Sequence, residues 1–203
     1  MSNKICYTAV IGPDYELNEV QKQNGWDYLC FTDQDIKSGT WNIVKPALGI
    51  NRKTCREIKL RPGVYLSEHD CSLWLDSSII IDCNINKFLG SNYCLMEHPE
   101  RADIWEEAEK CIELKKDSEE VIREQVESYR NELGYFKVLV ATGVLFRKNT
   151  PENTKFNELW WDEVQKYSIR DQLSFPYVAE KTHFTYRTIR WLDGFIWNRL
   201  PQI

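Results

Sequence analysis

Residues 71–81 read CSLWLDSSIII. Cys71–Leu75 is a short run of strand-favouring residues ending at a carboxylate, which predicts a β-strand. Asp76-Ser77-Ser78 carries turn chemistry, and Ile79–Ile81 predicts a second short strand. Upstream, a helix is expected from Asn51 to Leu60, with Arg52, Arg56 and Lys59 at near-helical spacing and Pro62-Gly63 as its stop. Before it, strands are expected at 41–44, at 26–32 ending on Asp33, and at 4–11 closed by Gly12-Pro13. Downstream, Tyr93–Glu97 reads as extended and 103–133 as two helices broken near 116–118. A strand over 138–147, helices over 154–167 and 171–181, and an aromatic tail from Phe184 to Trp197 that packs back on the domain complete the pass. Strands alternating with helices define an α/β fold, a mostly parallel central sheet flanked by helices. The expected organisation is one domain over 1–203 with a helical elaboration at about 103–133.

The chain has 203 residues, 42% of them hydrophobic, enough for one domain with a core of its own. A net charge of −5 argues against a general nucleic-acid binder, which needs a basic field, while leaving room for a local cluster around one diphosphate. The seven cysteines form no C-x-x-C pair and read as reduced core thiols without a zinc site. Neither a signal peptide nor a membrane-spanning run is recognisable, so the expected location is cytoplasmic. Eight Trp and ten Tyr have two readings, core filling or stacking platforms for sugars.

In open α/β sheets, ligands gather beyond the carboxyl ends of the strands. Three such ends carry suggestive groups: Ile11-Gly12-Pro13, Phe31-Thr32-Asp33 and Asp76-Ser77-Ser78. Exposed backbone at Gly12 suits a flat base or ribose, and Asp33 suits a base N–H. Asp76 and Ser78 sit where an acid-x-acid turn would hold a hard divalent cation, Mn²⁺ or Mg²⁺, through oxygen ligands; alternatively Asp76 and the serines only cap a turn. Arg56 and Lys59 share a helix face and suit phosphate oxygens, or a salt bridge to a surface acid such as Glu57. Near the C-terminus Asp171 is open to three roles: a helix N-terminal carboxylate, a base taking a proton from an acceptor hydroxyl, or the carboxylate under an anomeric carbon. Arg170 and Gln172 flank it as groups for sugar hydroxyls, and His98 opens a loop suited to the acceptor side. The sequence sets neither His69 nor His183 in a recognisable motif. A Gly-rich phosphate loop, a G-x-S-x-G elbow and an H-E-x-x-H pair are all absent, which removes P-loop enzymes and the motif-bearing hydrolases and zinc proteases.

The segments YTAVIGPDYEL (7–17), DYLCFTD (27–33), SLWLDSSIII (72–81), EHPERADIWEEAEKC (97–111), ATGVLFR (141–147) and KYSIRDQLSFPYV (166–178), with Arg52, Arg56 and Lys59, resemble in this order a family of glycosyltransferase-like proteins known in plants, bacteria and large viruses. The chain also resembles the N-terminal domain of a chlorella-virus glycosyltransferase that builds capsid glycans, which would place it in the host cytoplasm. The resemblance implies a GT-A nucleotide-sugar fold, a UDP-sugar donor and a glycan acceptor. It implies that Thr8, Ala9, Ile11, Gly12 and Asp33 hold the nucleoside, with Arg56, Lys59 and Ser77 toward the diphosphate. It also implies a metal at Asp76 and Ser78 and catalysis at Asp171; Ser78 departs from the stricter D-x-D pattern. The rival readings are a sugar nucleotidyltransferase, for which residues 11–15 supply only one Gly, and a non-catalytic glycan-binding module.

Overall fold

The structure is a computed structural model that describes residues 3–13, 15–46, 53–66, 68–190 and 195–197. In chain order the elements are β1 (Lys4–Val10), β2 (Asp27–Thr32), β3 (Asn42–Val44), α1 (Thr54–Leu60), α2 (Pro62–Tyr65), β4 (Cys71–Leu75), β5 (Ile79–Ile81), β6 (Tyr93–Glu97), α3 (Ile104–Glu113), α4 (Glu119–Leu133), β7 (Val140–Lys148), α5 (Pro151–Lys166), α6 (Asp171–Thr182), β8 (Arg187–Ile189) and β9 (Phe195–Trp197). Seven strands form one sheet in the order β3-β2-β1-β4-β7-β6-β8. Its pairings are parallel except at β7, which runs antiparallel to both β4 and β6. The fold is therefore α/β with a mostly parallel but mixed sheet flanked by helices.

Alternation along β1 explains why this strand is central. Tyr7 and Ala9 enter the core shared with α1, α3, α4, α5 and α6, while Cys6 and Val10 enter the core on the opposite face. That second face is closed by Val20, Trp26, Trp41, Phe88 and the ribbon formed by β5 and β9. Burial of a large side chain such as Trp74, 1% exposed, contributes about 3 kcal/mol. The cysteines stand as thiols, with Cys6, Cys30, Cys71, Cys94 and Cys111 buried.

Local signals account for several element ends. The Asp103 carboxylate accepts from the Trp105 and Glu106 N–H groups at 3.1 and 2.9 Å, capping α3. Helix α5 begins at Pro151 rather than at 154, because Thr150 Oγ1 caps it by accepting from Asn153 N–H at 3.2 Å and Pro151 occupies its first turn. His183, at φ 51°, ends α6: its own N–H and that of Phe184 close on Glu180 O and Ala179 O. The aromatic tail does fold back, with Phe184 stacked on Phe156 at 3.8 Å and Phe195 against Phe88 at 5.7 Å. Arg52, the expected helix start at 51–52 and tail positions 191–194 lie outside the described residues.

Candidate active site

Helix α1 lies across the carboxyl end of β1 and directs its last turn inward. Lys59 is 1% exposed although it carries a charge. Two donors fix its backbone carbonyl: the Tyr7 hydroxyl at 2.8 Å and the guanidinium of Arg147 on β7. Its ammonium then meets three oxygens, Asp171 Oδ2 at 2.6 Å, Thr142 Oγ1 at 3.1 Å and Asp76 Oδ1 at 3.6 Å. Arg56, one turn earlier, places Nε 3.1 Å from Asp171 Oδ1 and 3.2 Å from Ile169 O.

Asp171 opens α6 and is 2% exposed. Burial alone would raise its pKa, but Lys59 and Arg56, with Arg170 behind them, hold the carboxyl well below the usual carboxylate range. Reciprocally, the loss of solvent around Arg56 is outweighed by Asp171, which holds the guanidinium firmly protonated. Arg147 adds a further cation, 1% exposed, bonded to Tyr7 Oη, Lys59 O and Asn157 Oδ1 with no carboxylate partner among the described residues.

Asp76 leaves β4 with its side chain 37% exposed. Oδ1 accepts from Trp74 Nε1–H at 2.7 Å, and the Asp76 N–H donates to Gly143 O at 2.8 Å. The Ile79 N–H closes a turn on Asp76 O at 2.9 Å, within which Ser77 and Ser78 are half-buried; Ser77 O also accepts from Asn18 N–H at 3.2 Å. The space beside Oδ2 exists because position 143 has no side chain. A Cβ there would lie 3.2 Å from Asp76 Oδ2 and 2.8 Å from Ile79 Cδ1. This gap adjoins a β7 bulge, where the β6 partner jumps from Leu145 to Ala141 between Leu95 and Met96. The donor set fits a hard divalent cation only in part. No group of three or more acidic, His or Cys side chains that could hold a metal is present among the described residues. Asp76 Oδ2 alone would leave most of such a cation's ligands to substrate phosphate and water.

One strand over, Asp33 accepts from Gly12 N–H at 3.0 Å, and Gln34 Nε2–H donates to Gly12 O and, at 2.9 Å, to Tyr15 O. These bonds hold Gly12 at φ 95°, a conformation suited to glycine. Thr8 and Ala9 are buried within β1, whereas Ile11 and Gly12 are half-buried at its end. Tyr15 stands over Gly12, 59% exposed.

His98 is placed in its own loop. Its Nδ1 accepts from the N–H groups of Glu100 and Arg101 at 3.2 and 2.9 Å, and Nε2 lies 3.8 Å from Glu107 Oε2. Burial lowers its pKa against the opposite pull of Glu107. Glu107 also bonds Arg101 at 2.6 Å and accepts from Cys111 Sγ at 3.5 Å; burial raises the Cys111 thiol to about 11 against the pull of Arg170. His98 is therefore linked to Arg170 through α3 and does not touch Asp171. Gln172 is half-buried on the first turn of α6.

Sequence reasoning brought Arg56, Lys59, Asp76 and Asp171 to one place but missed Thr142, Gly143, Arg147 and Tyr15. A glycine inside the strand-like run ATGVLFR was the available signal for the bulge.

Comparison with known proteins bears directly on this arrangement. The family described as "TOD1/MUCI70, glycosyltransferase-like domain" matches residues 2–191. The chain belongs to this family. The TOD1/MUCI70 match takes in every strand of the large sheet and all the side chains of the candidate site. The probable hexosyltransferase MUCI70 of Arabidopsis thaliana is 29% identical over 168 residues, covering 73% of this chain and 29% of the plant protein. The chain thus spans under a third of that relative's length. These likenesses concern the TOD1/MUCI70 family and do not extend to the viral resemblance. No helix among the described residues is long and apolar enough to cross a membrane.

Proposed function

We propose that the chain is a glycosyltransferase that moves a hexose from a UDP-sugar to a hydroxyl of a glycan acceptor, with Mn²⁺ or Mg²⁺ at Asp76 and Ser78. The observation that carries this reading is the buried Lys59–Asp171–Arg56 cluster beside half-exposed Asp76, at the carboxyl end of the sheet in a glycosyltransferase-like domain. When bound, the metal supplies positive charge to the departing diphosphate. Lys59 and Arg56 supply more, and because their positions are fixed before substrate arrives, little reorganisation is needed as negative charge develops. Gly12, Asp33 and the open face of Tyr15 form the seat for uridine, and Ser77 lies toward the diphosphate.

Asp171 is the carboxylate of the site. Two cations keep it ionised and make it a weak proton acceptor, so its setting favours stabilising positive charge at the anomeric carbon or orienting Lys59 over abstracting a proton. Arg170 and Gln172 are the neighbouring groups for acceptor hydroxyls, with His98 ordering the loop behind them. The plant relative's description as a probable hexosyltransferase supports the reaction class.

The test is UDP release from a panel of UDP-hexoses with Mn²⁺ present. Turnover of at least one donor, lost in Asp76→Ala, is the expected result. No release from any donor by a folded protein would remove the enzymatic reading. It would favour a glycan-binding module, for which Tyr135, 62% exposed and stacked on Trp105 at 4.5 Å, offers a free ring face.

A further inference from the structure

The helical elaboration reaches the turn before Asp171 through the Asp117 carboxylate. Helix α3 ends at a reversal in which Lys115 takes φ 50° and the Lys115 and Lys116 N–H groups bond Ile112 O and Cys111 O, both at 2.9 Å. The reversal delivers Asp117 to the elbow before α4. There its two oxygens face different elements. Oδ1 accepts from Ser118 N–H at 2.9 Å at the start of α4. Oδ2 accepts from Ser168 Oγ–H and from Ile169 N–H, each at 2.9 Å.

The peptide groups of Ile169 continue the connection inward. The Ile169 carbonyl accepts from Arg56 Nε–H at 3.2 Å and from Asp171 N–H at 3.0 Å. Ser168, fully buried, accepts from Arg170 N–H at 3.1 Å while donating to Asp117. The turn that presents Asp171 to Arg56 and Lys59 is thereby held from behind by a charged acceptor on a different part of the fold. Charge-assisted hydrogen bonds of this kind are roughly twice as strong as neutral ones.

We infer that Asp117 is a positioning residue for the site: it fixes the 168–171 turn so that Ile169 O and Asp171 together orient the Arg56 guanidinium toward the diphosphate. Without it the turn keeps its chain connections but loses the carboxylate to which Ser168 and Ile169 both donate, and Arg56 gains freedom. The diphosphate part of this inference rests on the function proposed above; the orientation of Arg56 does not.

The experiment separates the two. In nucleotide-free protein, the exchange rate of the Arg56 Nε–H proton is read by NMR, its resonance assigned through its loss in Arg56→Lys. Asp117→Ala is expected to speed this exchange at least tenfold at a temperature well below its melting transition. Asp117→Asn, which keeps one carbonyl acceptor, is expected to restore part of the protection. UDP affinity with Mn²⁺ is expected to fall about tenfold in Asp117→Ala and to fall little further when Arg56→Ala is added. Unchanged Arg56 exchange in both variants would overturn the inference, even if melting temperatures dropped. Should wild type bind no UDP, the functional reading fails, while the role of Asp117 still stands or falls on the exchange rates.

Discussion

Removing Lys59 should be costly in a way that depends on Asp171. In Lys59→Met the buried Asp171 carboxylate, 2% exposed, loses a partner at 2.6 Å and, among the described residues, keeps the ion pair to Arg56 at 3.1 Å. Breaking one partner from a buried ion pair costs about 3–5 kcal/mol, and the remaining guanidinium puts this case near 3. Asp171→Asn strands the opposite charge: Lys59, 1% exposed, is left with Asp76 at 3.6 Å, for a similar loss of about 3 kcal/mol. The double variant removes both charges, so its loss should fall short of the sum by about 2–3 kcal/mol, the coupling range for groups in one network. Equilibrium denaturant melts of the four proteins at neutral pH measure it. Losses that add within about 0.5 kcal/mol would show that the two groups act independently and would refute the reasoning.

Acid should expose the same cluster. The Asp171 pKa is depressed by folding, so its stabilisation is fully present above the ordinary Asp value, about 3.9, and is lost as pH falls from there toward its folded value. Urea melts between pH 5 and pH 2 should show wild type losing up to about 1.4 kcal/mol per pH unit more steeply than Asp171→Asn in that acid limb, with no difference in slope above pH 5. Gly143→Ala forces a methyl against Ile79 and Asp76, so it should destabilise the protein by about 1–3 kcal/mol and weaken metal-dependent nucleotide binding, read by melting and titration on the same sample. Tyr15→Ala should leave the melt unchanged and cost about tenfold in UDP affinity, because the ring is exposed and a stacked base is worth about 1–3 kcal/mol.

Much of the fold was legible because its signals are local. Cys71–Leu75, Ile79–Ile81 and Tyr93–Glu97 are apolar runs of strand length, and the structure places β4, β5 and β6 on those residues. The two helices within 103–133 were legible from apolar spacing and the break between them. The strands β8 and β9 were not, since they lie within a tail read only as packing back on the domain and owe their pairing to β6 and β5. The antiparallel course of β7 was also hidden, because direction is set by connections rather than by composition. At the site, residue types pointed to Arg56, Lys59, Asp76 and Asp171, but their partnership did not show. Lys59 reads as a phosphate-facing cation, and nothing in the sequence shows that its ammonium is buried against Asp171, Thr142 and Asp76. Pairing between positions so distant in the chain is decided by packing, which a single sequence does not display.

The most direct measurement is calorimetric titration of the wild-type chain with UDP and with GDP, each with and without Mn²⁺, repeated on Asp76→Ala. The expected result is UDP binding that Mn²⁺ strengthens, that GDP does not match, and whose metal dependence disappears with Asp76. Failure of folded wild type to bind either nucleotide under any metal condition would contradict the claim that the carboxyl end of this sheet is a UDP-sugar site.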